Sequence, residues 1–519
     1  MKSSDEIFQL INSMSDKEKR FFRKKYTLFV ADDDGNYIKL FEEISKQIDG
    51  GGDYNEKKIK EGDYTGKFLK NLPFHKNYLY NTILNSLSIF HKDSKDAFAV
   101  RNLITQAEIL SDKMLHEQSL KLLQRAKKTA SEKDLLSSKY EIINIERTIL
   151  KYSISAEDYA SCFEDLFKEQ NDILTIQKNL LDYYLLNEKV GIYLRTFGSG
   201  KTRESRESEQ FEKLFKDPLL SDIKNAKTFF SRYIFHNLKL QFHLTKNNFE
   251  EAYEHASSAV KLWEDDPGKI AGKPDNYIYS LNNLLNTQIR TKNFSEFKLT
   301  ESKLRNIRDK FPGIITETNK VFIFYSLSVL NLSMYMESVN MENLRSVEFL
   351  IRNELDLYEE KITVYQRIIL YFFLSCSNFI QEDFENCVYW NSKIFSIGKT
   401  DLSGDYQCYA RIIQLISFYE LGYIDSMEYA LKSAYHFISK RERVYKYENI
   451  IQKYLRKSFR IKTDKELKEM FREMTIELEA IRNDEYEKNA FDAFNIIPWL
   501  ESRIKNVPIY DVIKGNKKS

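Results

Sequence analysis

Residues 246–259 of the chain, KNNFEEAYEHASSA, decide its fold. A polar turn precedes Phe249, and two small residues, Ala252 and Ala259, follow at positions that lie on one side of a helix. Small side chains on one side of a helix allow a second helix to pack closely against it. The segment therefore predicts the turn and the second helix of a helical hairpin.

Similar segments recur at intervals along the chain. They are DKMLHEQSLKLLQRA at 112–126, KNFSEF at 292–297, ENLRSVEFLI at 342–351, QEDFENCVYW at 381–390 and ELGYIDSMEYALKSA at 420–434. The five copies from 246 onward are 40 to 50 residues apart when they are aligned on Phe249, Phe294, Leu344, Phe384 and Ile424. This regular recurrence predicts a series of hairpins.

The segments resemble the tetratricopeptide repeat, in which helical hairpins stack side by side with a standard period of about 34 residues. A single hairpin cannot bury its apolar face, whereas stacked hairpins share a continuous core. The resemblance implies an all-α fold, a tetratricopeptide-like α-solenoid of antiparallel helical hairpins. Longer helices or wider turns are needed to account for the longer spacing.

Composition agrees with a helical fold. The 519 residues include 16 glycines and 7 prolines, whereas average usage would give roughly 36 and 26. So few turn-forming residues exclude a many-stranded β fold and disfavour an α/β fold with a phosphate-binding loop. Proline is absent from 74–217 and 313–497, where apolar residues recur with helical spacing, so both spans are predicted to be nearly continuous helices.

Breaks in the pattern divide the chain into four predicted parts. They are an N-terminal helical domain at 1–97, a first helical-repeat arm at 98–205, the tetratricopeptide-like solenoid at 206–462, and a C-terminal capping helix and tail at 463–519. The N-terminal domain is predicted to contain helices at 4–13, 16–28, 36–48 and 75–91. The segment 197–210 is predicted to be a flexible linker.

The chain as a whole also resembles an uncharacterised family of bacterial helical-repeat proteins. The markers are SDKEKRFFRKKY at 15–26, NYIKLFEEI at 36–44, KNYLYNTILNSL at 76–87 and WLESRI at 499–504. This resemblance implies a cytoplasmic, tetratricopeptide-like protein without an established activity, and it brings no catalytic residues to transfer.

The net charge, the cysteines and the lengths of the apolar runs indicate in which cellular compartment the protein is expected. The formal net charge is +2, from 79 basic and 77 acidic residues, so no global attraction to nucleic acid or to an anionic membrane is expected. No C-x-x-C pair occurs among the four cysteines, and neither a secretory signal nor a run of about 18 uncharged apolar residues is found. These features predict a cytoplasmic protein that does not bind membranes.

No complete catalytic or metal-binding motif is found. The segment GSGKT at 198–202 ends like a phosphate-binding loop, but Arg195 replaces the required first glycine, and a helix rather than a strand is predicted before it. His236 and His243 could share a helix face, yet no cysteine or carboxylate completes a metal site at ligand spacing. The sequence therefore predicts a non-enzymatic protein with no cofactor and no metal.

A row of polar residues on two adjacent first helices predicts a surface that binds a protein partner. In the tetratricopeptide register, positions 237, 241, 282 and 286 face the concave groove. Amides there could bind the backbone of an extended peptide, and arginine could bind a carboxylate. The alternative is an ordinary polar helix face. The candidate residues are Arg232, Asn237, Gln241, Tyr279, Asn282, Asn286 and Arg290.

A basic segment at 440–462 predicts an alternative function, that of a regulator associated with nucleic acid or ribonucleoprotein. Its lysines could follow a phosphate backbone while Tyr445, Tyr447 and Tyr454 stack on bases. The other interpretation is a solvated face that pairs with the acidic helix predicted at 464–487. The candidate residues, which lie on one helical face, are Lys446, Lys453, Lys457 and Arg460.

Overall fold

The computed structural model is helical and has no strand in its described part, so the predicted all-α fold is confirmed. The described residues are 3–29, 36–51, 54–62, 64, 66–92, 96–197, 205–397, 404–439, 445–458, 461, 463–484 and 487–516. None of the helices among them combines the length and the apolar character needed to cross a membrane.

The chain separates into two compact units, residues 1–177 and 178–519. The helices of the first unit are α1 Ser3–Ser13, α2 Asp16–Phe29, α3 Asn36–Asp49, α4 Glu56–Lys60, α5 Gly66–Lys70, α6 Leu72–Phe90, α7 Asp96–Asp112, α8 His116–Glu132 and α9 Leu136–Ser153. Helix α10, Ala156–Phe197, begins in the first unit and ends in the second. The four-part division expected from the sequence stays a prediction.

The second unit contains most of the helices. They are α11 Ser205–Phe215, α12 Phe229–Thr245, α13 Phe249–Asp265, α14 Pro274–Arg290, α15 Phe294–Arg305, α16 Ile307–Lys310, α17 Glu317–Glu337, α18 Met341–Tyr358, α19 Val364–Ile380, α20 Phe384–Ser396, α21 Gly404–Leu421, α22 Ile424–Ser439, α23 Lys446–Ser458, α24 Asp464–Ile481, α25 Lys488–Ala493, α26 Ile497–Lys505 and α27 Ile509–Asn516. Short 3₁₀ helices lie at Pro218–Leu220, Ile223–Asn225 and Pro267–Gly272.

The first helices of the chain pack around a core of their own. The four helices predicted there correspond to α1, α2, α3 and α6, while the short α4 and α5 have no counterpart in the prediction. A capping box begins α2, because the Ser15 N–H donates to Glu18 Oε2 over 2.6 Å and the Glu18 N–H donates to Ser15 Oγ over 3.4 Å. Phe22 and Phe41 form the centre of this core, with ring centroids 4.7 Å apart.

The same turn connects consecutive helices at seven places in the described chain. Each time, a residue in the left-handed conformation lies two positions before the next helix, at Met114, Asp134, Asn247, Lys292, Val339, Glu382 and Gly422. The N–H of the following residue donates to a carbonyl five residues earlier, with N···O distances of 2.8 to 3.0 Å. This bond is that of a Schellman motif, which ends a helix and reverses the chain.

The spacing of these turns corrects one alignment made from the sequence. In the second unit, the left-handed residues follow one another after 45, 47, 43 and 40 residues. The copy aligned on Leu344 begins its second helix at Met341, and Leu344 is a buried residue inside that helix. The true spacings are therefore more regular than the aligned ones, and all exceed the standard period of about 34 residues.

From α14 onward, the helices that precede these turns in the second unit stack on one another. We call α12, α14, α17, α19 and α21 the first helices. α14 contacts α17, α17 contacts α19, and α19 contacts α21, while each also packs on the helix that follows it. Capping boxes begin three of them, because Thr228, Thr316 and Thr363 each accept from the third helical N–H.

Three further helices follow α24, in the region expected from the sequence to be a tail. Trp499 on α26 is fully buried and packs against Phe471, with ring centroids 5.2 Å apart. Its indole N–H donates to Glu420 over 2.6 Å. Arg503 donates to the same carboxylate over 2.7 Å and to Glu382 over 2.8 Å. These contacts, which we call the C-terminal seal, join α26 to the ends of α19 and α21.

Candidate interaction surface

Four predicted amide residues lie on α12 and α14, and we call them the amide row. Asn237 and Gln241 are half-buried on α12, and Asn282 and Asn286 are half-buried on α14. The Oδ1 atom of Asn237 is buried and accepts no hydrogen bond from a described residue. The Asn237 side chain also hydrogen-bonds Tyr233, whereas the side chains of the other three form no hydrogen bond within the described chain. Their donors and acceptors are therefore available to a ligand.

A buried tyrosine holds α12 next to α14. The Tyr233 hydroxyl on α12 donates to the carbonyl oxygen of Asn276 on α14 over 3.3 Å. Burial raises the pKa of Tyr233, so its hydroxyl remains a donor at neutral pH. One hydrogen bond thus links the two helices that carry the amide row.

Arg232 and Tyr279 flank the amide row. Arg232 is exposed at the start of α12, and its Nε donates to the Thr228 carbonyl oxygen over 3.4 Å. Tyr279 on α14 is 47% exposed, and its ring meets that of Phe322 on α17 edge-on, with centroids 4.5 Å apart. A partly exposed aromatic pair therefore continues the surface from α14 to the next first helix.

Arg290, the last residue of α14, carries a positive charge that no described carboxylate pairs with. Its guanidinium carbon lies 5.6 Å from the centroid of the Phe249 ring, close enough for cation–π attraction. An aromatic face holds the guanidinium in place without neutralising it. The charge of Arg290 therefore remains available to a bound anion.

Sequence reasoning missed three tyrosines on the neighbouring first helices, Tyr325 on α17, Tyr365 on α19 and Tyr406 on α21. We call them the tyrosine cluster. Tyr365 is 41% exposed, and the other two are half-buried. Among the described residues, none accepts a hydrogen bond from their hydroxyls or donates one to them. Nothing in the sequence distinguished these three from the other tyrosines, because the chain has 33 tyrosines and aromatic residues at helical spacing are usually core residues.

The phenols of Tyr325 and Tyr406 are protonated at neutral pH. Burial is the main cause that raises the pKa of Tyr325, and charge on Tyr406 or Tyr365 would raise it further. Burial also raises the pKa of Tyr406 to about 12, and the Arg290 guanidinium opposes that shift.

The lysines of the basic segment pair with the acidic helix α24. Lys453 Nζ lies 2.6 Å from a carboxylate oxygen of Glu477, and Lys457 Nζ lies 2.6 Å from one of Glu473. The Tyr454 hydroxyl also donates to Glu477 over 2.7 Å. Lys453 and Tyr454 together lower the pKa of Glu477. This is the arrangement of the solvated, paired face that the sequence left open as the second interpretation.

The remaining members of the basic segment differ in placement. Lys446 is exposed at the start of α23, and Arg460 lies outside the described residues. Tyr445, Tyr447 and Tyr454 are 5%, 0% and 3% exposed. A buried ring cannot stack on a base, so the expectation that these tyrosines stack on nucleic acid is wrong. Nucleic-acid binding by the lysines stays a prediction.

Three histidines meet between α12 and α13. The Nδ1 atoms of His236 and His255 are 3.1 Å apart, and His243 stacks on His255 with ring centroids 5.5 Å apart. Burial lowers the pKa of both His236 and His255 to about 4, so both are neutral at pH 7. Sequence spacing grouped His236 with His243 but missed His255, which comes from the next helix.

The candidate metal and phosphate sites are settled only as far as the described residues reach. No group of three or more His, Cys, Asp or Glu side chains in the described ranges could hold a metal ion. The segment at 198–202, and with it half of the predicted linker, lies outside the described residues, while residues 205–210 of that linker belong to α11. The residues before it form helix α10, as predicted, whereas the phosphate-binding motif follows a strand.

Comparison of the chain with protein-family models, with curated proteins and with solved structures finds no match. The resemblance to a family of bacterial helical-repeat proteins therefore stays a prediction, as does the cytoplasmic location. A function is therefore inferred from the geometry of the first helices.

Proposed function

We propose that residues 178–519 form a non-enzymatic, tetratricopeptide-like scaffold that binds an extended segment of a protein partner along its first helices. The recurring turn supports this proposal, because one hairpin geometry returns five times in this unit. The contacts from α14 through α17 and α19 to α21 support it as well, since a solenoid stacks equivalent helices in this way.

The amide row is the observation that carries the proposal. Polar groups in a folded interior normally find hydrogen-bond partners, and an unpartnered one calls for an explanation. Asn237 Oδ1 is such a group, and the half-buried side chains of Asn282 and Asn286 bond no described residue. A peptide backbone offers alternating donors and acceptors, so a row of amides is suited to bind it without regard to its side chains.

The proposal is tested by replacing the row and measuring capture of a partner. The variant Asn237→Ala, Asn282→Ala and Asn286→Ala is expected to lose capture of proteins from the native cell lysate while its thermal unfolding is unchanged. A matched control replaces three exposed asparagines elsewhere in the same unit, Asn353, Asn449 and Asn483, by alanine. Equal capture by both variants would remove the amide row from the binding surface.

The alternative function has its own test. If the lysines bind RNA or DNA, binding at low ionic strength should weaken steeply with added salt and disappear when Lys453 and Lys457 become Glu. The ion pairs of these lysines with Glu477 and Glu473 do not favour that outcome. Absence of salt-dependent binding would end the alternative.

A further inference from the structure

Helix α10 has two apolar faces, and only one of them is covered within the described chain. On the inner face, Tyr183 is 0% and Leu186 is 4% exposed. The Tyr183 hydroxyl donates to the carbonyl oxygen of Leu219 over 2.6 Å, and the Asn179 side chain donates to that of Asn225 over 2.9 Å. These contacts attach the inner face of α10 to the segment that precedes α12.

The outer face of α10 carries large apolar side chains that are exposed. Leu181 is 65%, Leu185 is 54% and Ile192 is 61% exposed. Successive residues of an α-helix are about 100° apart, so these three positions lie within about 40° of one another. Single exposed apolar residues are ordinary on a protein surface, whereas several large ones on one face indicate an interaction surface. A helix that is apolar on opposite faces is normally buried on both, so we expect the outer face to be covered.

Two charged residues, Lys178 and Glu188, lie on the same outer face. The Lys178 side chain is 77% exposed, and its Nζ atom is 3.6 Å from a carboxylate oxygen of Asp182. Glu188 is exposed and forms no ion pair with a described residue. Together with the apolar residues, these two occupy an arc of about 80° on the helix. We call the five residues the α10 stripe: Lys178, Leu181, Leu185, Glu188 and Ile192.

The order of residues makes the α10 stripe complementary to a second copy of itself. When two copies of α10 run antiparallel about a two-fold axis at position 183, positions equally far before and after 183 lie level with each other. Leu181 then meets Leu185 of the second copy, and Lys178 meets Glu188 of the second copy. Ile192 is level with position 174, which is also a leucine. Apolar residues thus meet apolar residues, and opposite charges meet.

The charges distinguish this arrangement from a parallel one. In a parallel pair of helices, each residue faces its own copy, so Lys178 would oppose a second Lys178 and Glu188 a second Glu188. Facing like charges are unfavourable at an interface, whereas opposite charges fix its register. The α10 stripe is therefore suited to an antiparallel pair.

We propose that a second copy of this chain covers the α10 stripe, as an antiparallel coiled coil in which Leu181 packs on Leu185 and Lys178 pairs with Glu188 of the other copy. The two-fold axis repeats each contact, so every dimer contains each apolar layer and each ion pair twice. This inference does not depend on the scaffold function, because the α10 stripe lies outside the first helices.

The experiment measures the molar mass of the full chain by sedimentation at concentrations from about 1 to 100 μM, where a monomer–dimer equilibrium is expected. Leu181→Glu places a charge in both apolar layers and should weaken the dimer by at least about a hundredfold. Leu299→Glu is the matched control, because Leu299 is 68% exposed on α15 and lies outside the α10 stripe. It should leave the dissociation constant unchanged, and circular dichroism shows whether each variant is folded.

Charge reversal tests the register. Lys178→Glu places two carboxylates opposite each other at both ion pairs and should weaken the dimer by about ten- to a hundredfold. Combination with Glu188→Lys brings opposite charges together again in the antiparallel register and should restore the affinity of the unmodified chain. In a parallel dimer, like charges face each other in all three proteins, so neither change would have this effect.

The outcomes decide the proposal. A chain that remains monomeric at the highest concentration would overturn it, as would a dimer that Leu181→Glu does not weaken. A dimer that depends on Leu181 but not on the sign of the charge at position 178 would overturn the antiparallel register and with it the proposal. Loss of the dimer in Lys178→Glu and its return in the combined variant support it.

Discussion

The C-terminal seal and the amide row are two polar regions of the same unit, and they differ in how far the protein satisfies them. In the seal, Trp499 and Arg503 both donate to Glu420, and Arg503 also reaches Glu382. In the amide row, Asn237 Oδ1 is buried without a partner in the described chain. Polar side chains in the seal thus bond one another and stabilise the fold, whereas in the amide row a buried amide oxygen has no hydrogen-bond partner.

This difference distinguishes residues that stabilise the fold from residues that are candidates for binding. A polar side chain that bonds within the protein lowers the free energy of the folded state, so removing it should destabilise the protein. A polar side chain without an internal partner contributes little to folding, and removing it should affect only binding. Mutations in the two regions should therefore separate stability from capture.

The largest effect is expected in the seal, from Trp499→Ala. Trp499 is 0% exposed and packs against Phe471, so its truncation leaves a cavity and removes one of the two hydrogen-bond donors to Glu420. We expect a loss of about 3 to 5 kcal/mol in the free energy of unfolding, measured by urea denaturation. Trp499→Phe should cost less, because it keeps most of the packing. A loss below about 1 kcal/mol would contradict the structural role of the seal.

Removal of the charge in the seal is expected to have the second largest effect. Arg503→Gln leaves Glu420 and Glu382 without their shared cation and should cost about 2 kcal/mol of unfolding free energy. Arg472→Gln is the control, because Arg472 forms an exposed pair with Glu469 and such pairs contribute at most about 1 kcal/mol. Similar losses in both variants would show that the seal is no more than a surface ion pair.

The histidines between α12 and α13 are expected to make the free energy of unfolding depend on pH, with an effect of intermediate size. The folded pKa of His236 and His255 is about 4, below the ordinary value of 6.5, so the unfolded state binds more protons between these values. Stability should therefore be complete above pH 6.5 and decrease as the pH falls toward 4. At pH 5 we expect a loss on the order of 1 kcal/mol, after allowance for solvent screening.

That pH dependence is checked by thermal unfolding of the protein and of His255→Gln between pH 7.5 and 4.5. The variant lacks one of the two titrating groups and should show a flatter profile. If its profile is as steep as that of the unmodified protein, groups other than these histidines control the acid response.

The smallest effect on stability is expected in the amide row itself. Asn282→Ala combined with Asn286→Ala should change the free energy of unfolding by no more than about 0.5 kcal/mol, because neither side chain bonds a described residue. Chemical denaturation measures this directly. A loss comparable with that of Arg503→Gln would erase the distinction between the two regions.

Local sequence was sufficient to locate most hairpins. Small residues such as Ala252 and Cys387 are buried where the helices meet, as the repeated pattern predicts. The turn before α18 was misplaced by three residues because Val339 occupies its left-handed position. A β-branched residue is rarely found in that conformation, so nothing in the sequence marked the turn there.

The candidate site was predicted only in part. The residues on α12 and α14 follow from the hairpin register, since they lie at regular positions on one helix face. The tyrosine cluster does not, because Tyr325, Tyr365 and Tyr406 come from three hairpins and resemble the many core tyrosines of the chain. Only their partial exposure and their unpartnered hydroxyls distinguish them.

Helices, turns and hairpin spacing are local properties, set by residues a few positions apart, and the sequence specifies them because short-range sterics and hydrogen bonds decide them. Which polar groups are satisfied is not local. Trp499 bonds a carboxylate 79 residues earlier in the chain, whereas Asn237 Oδ1 finds no donor among the described residues. That distinction arises only when distant helices pack, because packing alone decides which donors and acceptors meet.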